Sequence, residues 1–441
     1  MTDNRKLPEG LAVPGGRAAR MLRFGSLVGG IAGGMMVDGV RQLAEGKRPR
    51  LSDLILTPAN ALRLTDQLSR LRGAAMKLGQ LLSLDAGDLL PPELAAILAQ
   101  LRAEARPMPA RQLDKALTAA WGTEWHEKLA SFERRPFAAA SIGQVHRAVS
   151  KSGRALAIKV QYPGVARSID SDVDNVATLL KISNLLPRHI DLAPLLAEAK
   201  LQLHQEADYA REGAMLARFG KLLAEDERFM IPRRYAPLSG PGVLAMDYVP
   251  GVAIETLANQ PQKQRDHIAA TLCELVLREL FEFGLMQTDP NFANYLVDEA
   301  SGRIILLDFG ATRQIPAEIV DGYRALLASA MRQDETGVRA AMEALGLAAP
   351  RAFERHPDEM ARIIASLTDL FAGRGKHDFT DRTQSAAIRD EALTVAADRA
   401  NWILPQPDAL FIQRKLGGTF LLAAQLGARV DVRGLVGRFV G

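Results

Sequence analysis

The chain has 441 residues, 48% of them hydrophobic, enough for a full core and two or three packed layers or lobes. A formal charge of +4 and an aromatic content of 5% argue against a stacking platform for single-stranded nucleic acid, so no nucleic-acid partner is expected. One cysteine, Cys273 in the apolar run TLCELVLREL, excludes an intrachain disulfide framework and a cysteine-based zinc cluster and fits a reducing, intracellular compartment.

In chain order, Arg17, Arg20 and Arg23 precede an uncharged run from Phe24 to Val37. The run is shorter than the roughly 20 apolar residues a bilayer span needs, and its glycines and distance from Met1 do not suit a signal peptide. Gly25, Gly29 and Gly33 would give a helix one smooth face. That face reads either as a membrane-surface or self-association segment, with arginines near anionic headgroups, or as a helix packed on its own domain or a plain leader. Next, Leu64, Leu68, Leu71, Ala75, Leu78 and Leu82 step by four and three, the stripe of an amphipathic helix over 60–84, with Lys77 and Gln80 off that stripe. Further helices are expected after Pro91-Pro92 and over 111–129.

From Phe137 the period changes to two. IGQVHRAV, the turn SKSGR and ALAIKVQYP predict a β-hairpin, preceded by the loop Ala138, Ala139, Ala140, Ser141, Ile142, Gly143, Gln144. Helices over 165–186 and 194–223 follow, then the strand GVLAMDYV with Met246 and Tyr248. Beyond Pro250 the chain reads as mainly helical, interrupted by a second hairpin that turns at 298–303. The fold class expected is α+β, a small mixed lobe followed by a larger helical one. The domains fall at 1–50 (leader), 51–130 (helical extension), 131–252 (small lobe) and 253–441 (helical lobe).

Lys159, mid-strand in LAIKV, either faces solvent or reaches a phosphate. In LHQEADYAREGAM, a continuous helix would put Asp208 and Glu212 on one face and Glu206 about 120° from Glu212. QTDPNFANYLV followed by IILLDFG carries the chemistry. Asp289 and Asn294 have the spacing of a kinase catalytic-loop acid and amide, and Asp308-Phe309-Gly310 closes a strand as a metal-binding DFG does. Asn294 and Asp308 supply hard oxygen ligands for Mg²⁺, and Asp289 can accept a hydroxyl proton or orient water.

These stretches resemble the UbiB/ABC1/COQ8 (ADCK) group of atypical protein-kinase-like proteins, from about residue 20 to near the C-terminus. MKLGQ looks like the group's Lys-x-Gly-Gln signature, AAASIGQVH its alanine-rich loop, EADYAREGA its Glu-x-Asp motif. QTDPNFANYL, LLDFGATR and the late QRKLGGTFLL look closest to its COQ8-like branch. The resemblance implies a two-lobed protein-kinase-like fold that binds ATP or ADP with Mg²⁺. Lys159 would pair with Glu212 and the phosphates, the alanine loop with Met246 and Tyr248 would border the nucleotide, and Lys77 and Gln80 would lie across the cleft with Glu206 and Asp208 as polar partners. It further implies ATP hydrolysis or phosphorylation of a small or lipid-like molecule in support of ubiquinone biosynthesis, with biosynthetic proteins, an anionic membrane surface and a second copy of the chain as candidate partners. The expected place is the cytoplasm, peripheral on the inner face of the membrane. A non-catalytic, nucleotide-gated scaffold is the alternative, and a phosphotransferase on a soluble metabolite a third. Alanine in place of glycine holds the loop to φ below zero, so nucleotide would be held in a differently tuned pose.

Overall fold

The computed structural model describes residues 108–140, 142–182, 193–373, 375–398 and 406–440. The leader, the helix over 60–84 with Lys77 and Gln80, and Ser141 lie outside the described residues. The chain divides into two compact units. One ends at Ala214 and resumes over Arg233–Tyr248; the other comprises Met215–Pro232 and Val249–Gly441.

The first unit begins with α1 (Ala110–Trp121), a 3₁₀ turn at Trp125–Lys128, and strands β1 (Leu129–Phe132), β2 (Ala138–Ala140), β3 (Gly143–Ser150) and β4 (Ala155–Gln161). Helices α2 (Val165–Ile182), α3 (Ala193–Glu206) and α4 (Tyr209–Leu222) follow, then β5 (Phe229–Met230) of the second unit and β6 (Val243–Asp247) of the first. The sheet runs β1-β3-β4-β6 with β2 added to β3, and every pairing is antiparallel. Strand alternation divides its residues between two faces. Ala148, Leu156, Ile158, Val160, Val243 and Ala245 form one core with Leu113, Leu117 and Trp125. The other face carries Val145, Lys159 and Leu244 in one row and Arg147, Ala157 and Met246 in the next.

The second unit continues with β7 (Val252–Ala253), a 3₁₀ helix at Ile254–Asn259, α5 (Gln262–Phe281), β8 (Leu285–Gln287), β9 (Tyr295–Val297), β10 (Ile304–Leu306) and β11 (Thr312–Gln314). Then come α6 (Ala317–Met331), α7 (Glu335–Ala344), α8 (Pro350–Arg355), α9 (Pro357–Asp369), β12 (His377–Asp378), α10 (Thr383–Ala397), α11 (Pro407–Gln425), β13 (Arg429–Val430) and α12 (Val432–Val440). Its strands pair in short ribbons, β5-β10-β9-β7, β8-β11 and β12-β13. One core gathers side chains from Val276 in α5 to Val436 in α12, including Tyr323, Phe353, Met360 and Ile412.

Both predicted hairpins form, and α+β describes the chain. Two helices differ from expectation. The one expected over 111–129 stops at Trp121, where Gly122 turns with φ 90° into the 3₁₀ turn and β1. The one expected over 194–223 breaks at Ala207-Asp208, because the Asp208 carboxylate accepts the Arg211 N–H at 2.9 Å and starts a new helix. Among the described residues no helix is long and apolar enough to cross a membrane.

Candidate active site

In the first unit the site is built around Lys159. Strand β4 places it on the face away from the Leu113–Trp125 core, with 7% of its surface exposed. Its ammonium donates to both Glu212 oxygens, at 2.8 and 2.9 Å, and lies 5.1 Å from the Tyr209 ring. The break at Asp208 makes this reach possible. Gln161 at the end of β4 donates to the Ala207 carbonyl at 2.8 Å, so the corner between α3 and α4 is tied to the strand, and the first turn of α4 delivers Glu212. A buried lysine chelated by one carboxylate has no structural necessity, since apolar residues would fill the volume as well. Val145, Ala157, Leu244 and Met246 surround it in the sheet with small or aliphatic side chains, a surface suited to the flat face of a base. Val145, Ala157 and Leu244 were not singled out in the sequence; strand parity relative to Lys159 is the signal that would have found them.

Ala138, Ala139 and Ala140 form β2, hydrogen-bonded back onto β3 in a hairpin whose last pair is Ala140 with Gly143. Gly143 is required there, since a Cβ would sit 2.5 Å from the Val160 carbonyl oxygen and 2.6 Å from the Tyr209 hydroxyl. Tyr248 accepts a hydrogen bond from Arg147 at 2.9 Å, and that guanidinium stacks on both Tyr248 and Phe137. Ile142 is buried. Gln144 corrects the sequence reading: it belongs to the opposite face, where its Oε1 accepts the Met108 N–H at 2.8 Å and its Nε2 meets His146 at 2.8 Å. Alternation along β3 groups it with Ala148, which the fold puts in the core. Asp208 is an exposed helix cap, and Glu206 ends α3, half-buried, so the two do not share a helix with Glu212.

In the second unit, Asp289 follows β8 and Asn294 precedes β9, and the Asn294 amide donates to the Asp289 carboxylate and carbonyl, both at 3.3 Å. The Leu307 N–H donates to the Asn294 carbonyl at 3.1 Å, continuing the β9-β10 ladder to the residue before Asp308. Asp308 Oδ1 accepts the Gly310 N–H at 2.9 Å, and Thr288 donates from its hydroxyl to the Ala311 carbonyl at 2.7 Å, so the loop and the DFG segment are bound to each other. Phe309 is 1% exposed and packs on Phe219 at 4.7 Å. Among the described residues no group of three or more His, Cys, Asp or Glu could hold a metal. One carboxylate and one amide oxygen are nonetheless a fitting donor set for Mg²⁺, which keeps waters and phosphate oxygens as its remaining ligands.

Two basic residues that the sequence reading did not assign complete this region. Arg414 of α11, 6% exposed, donates to Asp289 Oδ1 at 3.0 Å. Lys415, 1% exposed, donates to Gln287 Oε1 at 3.0 Å and to the Tyr295 hydroxyl at 2.9 Å, with Glu279 of α5 at 3.4 Å. Burial pushes the Glu279 carboxyl up to about 7. Cys273, on the same helix, has its thiol pushed up to about 12 by burial, which keeps it a thiol rather than a reactive thiolate.

The ABC1 atypical kinase-like domain matches residues 100–342. Atypical kinase COQ8, mitochondrial, of Saccharomyces cerevisiae is 36% identical over 422 residues, covering 95% of this chain and 84% of that protein. Atypical kinase COQ8B, mitochondrial, of Danio rerio is 36% identical over 427 residues, covering 96% and 68%. Among solved structures, the complex of Rv3197 with erythromycin from Mycobacterium tuberculosis aligns with a TM-score of 0.60 and 26% identity, over 87% of this chain and 96% of that one.

Proposed function

The chain belongs to the ABC1 atypical kinase-like family, and on that premise we propose that it is an Mg-ATP-dependent atypical kinase or ATPase supporting ubiquinone biosynthesis, by ATP hydrolysis or by phosphorylation of a small or lipid-like molecule. The fold itself is kinase-like, with an antiparallel sheet unit and a helical unit. The observation that supports the reading is the Asn294 amide donating to the Asp289 carboxylate at 3.3 Å, on a loop that the Thr288 hydroxyl bonds to Ala311, next to the DFG segment that carries Asp308. A scaffold without chemistry has no physical need for all three.

In this reading Lys159, held by Glu212, binds phosphate oxygens of the nucleotide, and the Val145, Ala157 and Met246 face takes its base. Asn294 and Asp308 hold Mg²⁺, which when bound neutralises charge on the phosphates. Asp289 orients the attacking hydroxyl or water and accepts its proton; Arg414 fixes one of its oxygens and leaves the other shared with Asn294. The β2-β3 hairpin, alanine for glycine, sets the preference between ATP and ADP. Lys77 and Gln80, outside the described residues, belong to an N-terminal extension that restricts which acceptors enter, with Glu206 and Asp208 as its polar counterparts. The domain scheme of the sequence reading, a peripheral position on the inner face of the cytoplasmic membrane and contacts with biosynthetic proteins belong to the same proposal.

The test is inorganic phosphate release from Mg-ATP, with and without anionic liposomes, comparing wild type with Asp308→Asn and Asp289→Asn. Release that rises with liposomes and falls about a hundredfold in both variants is expected. Retained nucleotide binding with no release in any condition, including added small-molecule acceptors, would overturn catalysis and leave a nucleotide-gated scaffold.

A further inference from the structure

The late segment QRKLGGTFLL, singled out in the sequence, has no part in the chemistry proposed above beyond Arg414. Its Lys415 is as buried as any charged group among the described residues. One ammonium there touches Gln287, two residues before Asp289, and Tyr295, the residue after Asn294. The two contacts lie at opposite ends of the same loop. Three residues along the helix, Gly418 lies so close to Pro290 that a Cβ would fall 2.2 Å from the proline side chain. Helix α11 therefore meets the loop at its start, at its middle and at its end.

A lysine ammonium carries three donors on a flexible stem and needs no fixed plane, which suits it to joining two acceptors from separate strands. Glu279 at 3.4 Å balances its charge. Stability alone does not call for this pair, because an apolar pair of similar volume costs no desolvation of charge. What an apolar pair cannot do is fix the separation of Gln287 from Tyr295, and that separation sets the span across which Asp289 and Asn294 must meet at 3.3 Å. We infer that Lys415 is a positioning residue: it staples both ends of the loop 288–294, with Glu279 as its buried counter-ion, so that α11 is the mould on which the reacting loop is set.

This inference rests on the proposed phosphoryl chemistry for its kinetic consequence and on geometry alone for its structural one, and the experiment separates the two. In the full-length chain, Glu279→Leu/Lys415→Met removes both charges together, and Tyr295→Phe removes one arm of the staple and nothing else. Backbone amide exchange is followed by mass spectrometry over 288–297 and over the rest of 249–440, alongside phosphate release from Mg-ATP. Expected is faster exchange confined to 288–297, about tenfold or more in the double variant and less in Tyr295→Phe, with kcat down about a hundredfold in the double variant and KM for Mg-ATP within about twofold. Unchanged exchange over 288–297, or acceleration spread evenly through the helical unit, would overturn the staple. Wild type that binds but never hydrolyses ATP would remove the kinetic consequence and leave the exchange result to decide the inference.

Discussion

At the residue scale, the pair of Lys159 and Glu212 makes a demanding prediction. Both side chains are buried, so Lys159→Met strands a carboxylate and should cost about 3–5 kcal/mol, whereas Lys159→Met/Glu212→Leu should recover most of that while binding no nucleotide. Urea unfolding followed by the fluorescence of Trp121 and Trp125, in a Trp402→Phe background, reads the stability of that unit. By the same assay Gly143→Ala should cost about 1–3 kcal/mol, because the new methyl meets a backbone carbonyl that cannot step aside. His146 gives a pH dependence. Its Nδ1–H donates to the Glu133 carbonyl and its Nε2 accepts from Gln144, both at 2.8 Å, so the folded ring is neutral, and burial lowers its pKa. The unfolded chain takes up a proton near pH 6.5 that the fold refuses, so this contribution is present above about pH 6.5 and is lost as pH falls below it. Unfolding at pH 7.5 and 5.5 should show that loss in wild type and a smaller one in His146→Leu. The motif residues Lys159, Asp289, Asn294 and Asp308 were legible in the sequence because their spacing is local to a strand or loop. Gln144 was misplaced because alternation says which residues share a face and not which face meets a helix.

At the element scale, the alternating patterns of β3 and β4 were legible because a period of two has few other readings, and the turn residues fixed the register. Helix boundaries were less so. The α3-α4 break carries neither proline nor glycine, and the apolar periodicity runs through it; only Asp208, a good cap, marks it. Asp208→Ala should therefore cost about 1 kcal/mol, read by the same unfolding curves, and loosen the turn that presents Glu212. Helix α11 was the least legible in function. Arg414 and Asp289 are 125 positions apart, and no local pattern encodes a contact that forms only once the helical unit has closed.

At the scale of the whole molecule, the family match ends at residue 342, but the helical unit's core does not. Phe353, Met360, Ile363, Ile412 and Val436 share that core with Val276, Leu280 and Tyr323. A chain ending at residue 342 would leave the apolar faces of α5 and α6 uncovered, and it should be recovered insoluble, whereas the full chain yields a sharp amide spectrum from the same region. Composition was enough to predict a full core, the change of period along the chain the α+β class, and the order of motifs its kinase-like plan. Which late helices support which early loops is a property of the closed fold.

That arrangement also orders events in time. The strands of the sheet are all made once Asp247 is added, while α4, which carries Glu212, packs its Phe219 on Phe309, the loop bearing Asp289 waits for α11 and the core waits for α12. At cellular rates of elongation, synthesis of the stretch from Val249 to Gly441 takes roughly 10–40 s. Through that interval a nascent chain can present the strands of the sheet, Lys159 among them, with no stapled loop, so the chain comes off the ribosome with its sheet made first and the loop bearing Asp289 set last.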